Sequence, residues 1–282
     1  MMVTIFLFTV MDAIAKGLAK DLHTIQVVWA RYSAQTLVAT ILLAPRLHHV
    51  LKTNHLGLQL IRSGFLFAAT MCFFFGIVLV GLADASAIMA LNPMLITLGA
   101  ALILGESLGL RRAVGVSIGL IGALVIIRPG SDVFTPAALL PAMAALCYAG
   151  YTISTRFLGR NESVWTSFLY TTLIGTLIAS LIVPFFWSWP TLREWLIFGA
   201  LGSVAGIGQY ALIRALSLAE AGAIAPVAYM GVPLASLWGM LFFDEYPDKW
   251  VLLGALIIVG AGIYVWQREF RLSRRARKEQ HG

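Results

Sequence analysis

Long apolar runs alternate with short polar breaks along the whole chain. The runs cover 2–19, 24–44, 59–81, 86–105, 112–128, 136–156, 164–187, 192–213, 221–243 and 249–267. Each is close to the ~20 residues that a helix needs to cross a bilayer's hydrocarbon core. The breaks carry turn chemistry: Lys20-Asp21, Pro45-Arg46, Asp84, Glu106 to Arg111, Pro129 to Asp132, Gly159 to Ser163, Ser188 to Pro190, Ala219-Glu220 and Asp244 to Asp248. No run alternates with period two, so the strands of an outer-membrane barrel are not expected. Backbone groups without water must pair within their own segment, which makes these runs helices. The pattern predicts an all-α integral membrane protein with ten transmembrane helices.

The pattern also repeats. Leu82-Ala83-Asp84-Ala85-Ser86-Ala87-Ile88 recurs as Leu218-Ala219-Glu220-Ala221-Gly222-Ala223-Ile224. Each copy is followed by a proline-bearing run (Pro93; Pro226 and Pro233), an acid after a turn (Gly105-Glu106; Asp244-Glu245) and a glycine-rich run (115–127; 254–265). This divides the chain into units 1–132 and 133–267 and a basic tail 268–282. Five spans per unit turn the second unit upside down. An inverted repeat of this kind is the plan of a secondary transporter, with the substrate site where the halves meet.

Composition agrees. Apolar residues make up 60% and charged residues 12%, about half the charge of a soluble domain. Lysine and arginine cluster on one set of breaks: Arg46, Lys52, Arg62, Arg111, Arg112, Arg156, Arg160, Arg214 and the tail from Arg268 to Lys278. The other set holds Lys16, Lys20, Arg128, Arg193 and Lys249. The positive-inside rule then places both termini in the cytoplasm, Asp84 outside and Glu220 inside. A multi-pass membrane location follows. The net charge of +7 comes from the tail and inner loops. It suits contact with anionic lipid or fixing of topology, and it gives no support to nucleic-acid binding. The stretch Met1 to Val10 with Ala13 and Ala15 mimics a signal peptide but lacks a basic start, so it reads as the first helix. Cys72 and Cys147 lie inside runs and read as packing residues. His48, His49 and His55 share a loop without ligand spacing, so neither a metal nor a cofactor is expected.

Two catalytic-looking motifs are discounted. Gly115-Val116-Ser117-Ile118-Gly119 fits a nucleophile elbow, and Gly206-Ile207-Gly208-Gln209-Tyr210-Ala211 fits a dinucleotide fingerprint. Both need a preceding strand and sit instead in continuous apolar runs. Glycines spaced this way let helices approach closely. An enzyme acting on lipids would need a base at depth, and no histidine lies within a run.

Charged and polar groups inside runs are the candidate site, because the bilayer makes them costly unless used. Asp12 and Lys16 share a face of the first helix. Arg31, with Gln35 one turn on, forms a polar stripe in the second; it reads either as a contact for a substrate carboxylate or as a structural partner of Asp12. Asn92, Tyr148, Tyr151, Thr152, Gln209, Tyr210, Tyr229 and Trp238 complete the expected lining. Pro93, Pro226 and Pro233 break their helices at matching places and are the expected hinges. Such walls suit a neutral or zwitterionic solute with an apolar part, and suit phosphates poorly.

The duplicated unit, its proline-bearing helix, the Gly105-Glu106 turn, the helix with Gly115, Gly119 and Gly122, Lys16, and Val28-Trp29-Ala30-Arg31-Tyr32 together resemble the EamA domain of the drug/metabolite transporter superfamily. Within it, the chain is similar to the YddG-type bacterial exporters of aromatic and other amino acids. The resemblance implies ten helices with cytoplasmic termini and a central cavity walled by helices 1, 3, 4, 6, 8 and 9. Helices 5 and 10 stay outside that cavity. It also implies export of amino acids or related small metabolites, as a monomer or weak homodimer in contact with membrane lipids. Two features depart from the pattern: Asp244-Glu245 stands where the first half has Gly105-Glu106, and the second half has no clear arginine in its second span. Glu106 and Glu245 end helices and are read as structural. Asp12 is the one candidate for proton coupling, and its peripheral position favours facilitated efflux or exchange.

Overall fold

The computed structural model describes residues 1–105, 110–127, 136–158, 162–219 and 225–246. It also describes 249–250, 252–254, 256–257 and 260–261 of the final run. Glu106, Glu220 and the basic tail lie outside the described residues, as does the Pro226 side chain. Eleven α-helices are described: α1 (Met2–Leu18), α2 (Thr24–Leu43), α3 (Leu47–Val50), α4 (Leu56–Leu79), α5 (Leu82–Met89), α6 (Asn92–Leu104), α7 (Leu110–Ile127), α8 (Leu139–Leu158), α9 (Val164–Ile182), α10 (Leu192–Leu218) and α11 (Gly231–Phe243). Short 3-10 turns at Ala44–Arg46, Pro136–Ala138, Val183–Phe186 and Ala225–Met230 extend or join them. No strand occurs among the described residues.

Among the described residues, six helical stretches are long and apolar enough to cross a bilayer: Thr24–Val50, Leu56–Leu79, Leu82–Leu104, Pro136–Leu158, Val164–Phe186 and Leu192–Leu218. Their outer faces present Leu102, Leu181, Phe185 and Leu196 to the surroundings. That surface suits lipid and not water. The protein is a multi-pass membrane protein.

Local sequence explains the element ends. Thr191 and Glu194 form a capping box at the start of α10. His23 caps α2, its Nδ1 accepting the Ile25 N–H at 3.3 Å. Gly105 ends α6 in the left-handed region at φ 67. Asp244 ends α11 in the same conformation at φ 56, and aspartate is one of the few side chains that visits it. The departure of Asp244-Glu245 from Gly105-Glu106 is therefore a substitution within one turn geometry. The fourth run begins at Leu82, earlier than the expected 86, because Gly81 turns the chain with φ +92. That run is broken between Met89 and Asn92. Pro93 opens α6 from its first turn, where its missing N–H costs no hydrogen bond. The ninth run breaks likewise, with Ala225–Met230 as 3-10 and Pro233 in the first turn of α11.

Helices of the two halves interleave. α1 packs on α10 and α11, α2 on α9 and α10, α4 on α8 and α9, and α6 on α8. Exchanging α1 with α8, α2 with α9, α4 with α10 and α6 with α11 maps these contacts onto each other, as the two-repeat fold requires. Glycine sets the closest approaches. A Cβ on Gly202 of α10 would lie 2.2 Å from Ala34 Cβ of α2, and one on Gly175 of α9 would lie 2.3 Å from the Tyr32 ring. A Cβ on Gly199, three residues before Gly202, would meet open space.

Arg62, grouped above with the inner loops, lies inside α4 and is fully buried. The helix starts at Leu56, before the run's expected start at 59, which carries Arg62 two turns in.

Candidate functional site

The two helix breaks lie against each other, with α6 packed on the Ala225–Met230 turn. Residues around both, Met89, Ala90, Asn92 and Pro93 on one side and Ala228, Gly231 and Val232 on the other, line a cavity of about 140 Å³. A cavity of about 150 Å³ accepts a benzene-sized guest. The remaining wall comes from α1 (Met1, Thr4, Ile5, Phe8, Thr9, Met11, Asp12), α2 (Arg31), α4 (Leu66, Ala69, Thr70, Phe73, Phe74), α5 (Ser86) and α8 (Tyr148). The second run thus contributes Arg31, which the family resemblance did not imply, and no α10 residue is in the lining.

Asp12 and Arg31 are both buried, at 8% and 3% exposure, and both line this cavity. They are not an ion pair; the ion pair formed among the described residues joins Lys16 to Glu245. Arg31 Nη1 donates to Thr70 Oγ1, and its guanidinium lies 5.0 Å from the Tyr32 ring and 5.8 Å from the Phe74 ring. The Tyr32 hydroxyl shares Thr70 Oγ1 at 3.0 Å, so the arginine is held at one end and free at the other. Arg31 Nε, Asp12 Oδ1, Asn92 Oδ1 and Thr4 Oγ1 are buried without a hydrogen-bond partner. Buried polar atoms are normally paired. Four unpaired ones around one cavity leave it with polar capacity that the described residues do not use.

Other expected site residues lie around the cavity instead of in it. Lys16, four residues beyond Asp12 and so about 6 Å along α1, is bound to Glu245 Oε1 and stacked 4.9 Å over Phe243. Glu245 Oε2 accepts the Leu82 N–H at 3.2 Å, at the start of α5. This carboxylate ties α1, α5 and the end of α11 together, one turn of α1 beyond Asp12. Its helix-end position alone already marks it as structural. Trp238 stands one step back, its Nε1 donating to Thr9 Oγ1 at 3.1 Å. Gln35 is buried against α10 with Nε2 unpaired. Tyr151 accepts from Gln209 Nε2 and from Arg62. Thr152 bonds back to the Tyr148 carbonyl at 2.9 Å. Tyr210 stacks on Trp165 at 4.4 Å between α9 and α10. Tyr229 donates to the Val116 carbonyl at 3.1 Å, over the surface left open by Gly119. Ser117, the discounted nucleophile, is exposed on α7. No cluster of metal-ligating side chains occurs among the described residues.

The family model of the EamA-like transporter family matches residues 1–128 and 135–266. The pseudopaline exporter CntI of Pseudomonas aeruginosa (strain UCBPP-PA14) is 31% identical over 265 residues, 92% of this chain and 91% of its own. The S-adenosylmethionine uptake transporter of Rickettsia bellii is 25% identical, over 90% of this chain and 87% of its own. The riboflavin transporter of Vibrio cholerae is 33% identical over 192 residues, 68% of this chain and 64% of its own. A solved crystal structure superposes with a TM-score of 0.74 at 22% identity, over 96% of this chain and 98% of that one; it bears on the fold alone.

Proposed function

The chain belongs to the EamA-like transporter family, and from that premise we propose that it carries zwitterionic amino acids or amino-acid-like metabolites out of the bacterial cytoplasm. It is a small-metabolite transporter of the inner membrane and not an enzyme. The finer reading rests on one observation: an aspartate and an arginine line the same buried cavity, each with an unpaired polar atom, and neither neutralises the other by direct contact. An α-amino acid supplies the matching charges. Its carboxylate would take the free edge of the Arg31 guanidinium, which binds carboxylates in a planar fork. Its ammonium would take Asp12, with Asn92 Oδ1 and Thr4 Oγ1 as further acceptors. Phe8, Met11, Phe73, Phe74 and Met89 would surround an apolar or aromatic side chain.

The same reading takes the halves 1–132 and 133–267 as oppositely oriented, with both termini cytoplasmic. The Lys16–Glu245–Leu82 closure then lies at the outer end of the cavity. Outward release requires that contact to part while the inner end closes, by rocking of the halves. Export is supported by CntI, an exporter, matching over nearly the whole chain. The test is flux of radiolabelled amino acids through purified protein in liposomes. Phenylalanine and tryptophan should move above empty vesicles. Absence of flux for every amino acid, with riboflavin or another solute moving, would replace the amino-acid reading with another metabolite.

A further inference from the structure

The molecule buries a second arginine, Arg62, in α4. Its position relative to the cavity is fixed by the helix. Thr70, the partner of Arg31, is eight residues further on, about 12 Å along α4. Leu66 lies between them and lines the cavity. On α8, Tyr148 lines the cavity, and Tyr151 lies one turn away, its ring 5.9 Å from that of Tyr148. Arg62 and Tyr151 therefore form the layer next to the cavity, at the end away from Lys16 and Glu245.

The Arg62 guanidinium makes all its contacts to neutral groups. Nη1 donates to the hydroxyl of Tyr151 at 3.5 Å and to Thr155 Oγ1 at 3.3 Å. Nη2 donates to Gln59 Oε1 at 3.0 Å, to Thr171 Oγ1 at 2.7 Å and to the Ser167 carbonyl. Nε has no partner, and neither do its neighbour Ser63 Oγ and the adjoining Gln209 Oε1. A buried cation with no direct ion pair is held at a large desolvation cost; the Glu162 carboxylate acts on it only at longer range. Glu162, just before α9, is engaged by Thr53. The contacts also bridge the halves: all the acceptors except Gln59, on Arg62's own helix, belong to α8 or α9.

We propose that Arg62 is a second carboxylate-binding station on the route between the cavity and the inner face, and that it exchanges its α8 and α9 acceptors for the solute's carboxylate as that end opens. Parting α4 from α8 and α9 removes every acceptor but Gln59 and leaves the guanidinium fork free. A carboxylate replaces those bonds with a charge-assisted pair. A solute that binds the opened form better than the closed one shifts the population toward it. The station thus admits solutes that carry a carboxylate and resists opening for those that do not. This inference deepens the amino-acid reading and rests on it for the route, but its chemistry requires only a carboxylate.

The experiment uses the full chain in proteoliposomes, with Cys72 and Cys147 replaced by serine and Ser63→Cys as reporter. Labelling by a water-soluble maleimide is followed with tryptophan, indole-3-acetate (carboxylate without amine) and tryptamine (amine without carboxylate). Tryptophan and indole-3-acetate should speed labelling at least threefold, and tryptamine should not. Arg62→Gln should abolish the difference among the three. Arg62→Lys, which keeps the charge and lacks the fork, should retain part of it and controls for misfolding. Equal effects of all three probes on the Arg62 protein, or a carboxylate effect that survives Arg62→Gln, overturns the proposal. Acceleration by indole-3-acetate in a protein that moves no tryptophan upholds the station and sinks the amino-acid reading. Tryptophan flux with no carboxylate-dependent labelling does the reverse.

Discussion

Neutralising Glu245 should loosen the tie between α1, α5 and α11 beside the cavity and raise access to it. In the structure its Oε1 meets the Lys16 ammonium and its Oε2 accepts the first N–H of α5 from Leu82 at 3.2 Å. Glu245→Gln removes the negative charge from both contacts while keeping shape and a carbonyl acceptor. A hydrogen bond to a charged group contributes about 1.5–3 kcal/mol, and a carboxylate at a helix N-terminus about 0.3–1 kcal/mol when exposed. The side chains are 11% and 32% exposed for Lys16 and Glu245, so water screens part of this and the lower end applies, about 2 kcal/mol. That energy corresponds to a shift of about thirtyfold between closed and open forms. The assay is labelling of Ser86→Cys, a cavity-lining position on α5, by an impermeant maleimide added outside intact cells, in a background lacking Cys72 and Cys147. Glu245→Gln should raise the labelling rate by ten- to thirtyfold. Lys16→Met should raise it less, since it leaves the Leu82 N–H contact in place, and the double variant should fall short of the sum of the two because the Lys16–Glu245 contact is shared. Unchanged labelling in a normally expressed Glu245→Gln protein refutes the reasoning.

Other outcomes follow from the same geometry. Tyr229→Phe, which removes the hydroxyl on the Val116 carbonyl, should cost about 1 kcal/mol of stability, read as a lowered Tm, with solute selectivity unchanged. Gly202→Leu should abolish the folded protein or lower its Tm sharply, since its first added carbon already lies 2.2 Å from Ala34; overpacking of this kind costs about 1–3 kcal/mol or more. Ser117→Ala should leave flux unchanged, because the hydroxyl stands on the exposed face of α7; a large loss would revive an enzyme at that motif.

Much of the fold is written in the apolar pattern, since the bilayer demands long uninterrupted helices and the breaks carry recognisable turn residues. The halt in the fourth run was visible as Asn92-Pro93, and Pro93 does start a new helix. What pattern alone misjudged were residues whose role depends on a partner from the other half. Glu245 reads as a helix end until Lys16 is brought to it by the packing of α1 on α11. Arg62 sits near a run's edge, where a loop arginine and a buried one look the same. Gln59, three residues before it on the same helix face, is the available signal, and only α8 and α9 reveal Arg62 as buried. Tyr210 and Tyr229 carry the polar-aromatic chemistry of a lining, yet their neighbours direct one to an aromatic stack with Trp165 and the other to a backbone carbonyl. Asp12, Arg31, Asn92, Pro93 and Tyr148 are brought to one cavity because a deep charge or a broken helix has few other places to go.

The account depends on Asp12 and Arg31 reading the two ends of one solute. The direct measurement is binding of phenylalanine, phenethylamine and phenylacetate to the purified protein, to Asp12→Asn and to Arg31→Gln. The native chain should prefer phenylalanine over both analogues by at least tenfold in Kd. Arg31→Gln should erase its advantage over phenethylamine, and Asp12→Asn its advantage over phenylacetate. Native protein that binds the three alike, or variants that keep both preferences, would contradict it.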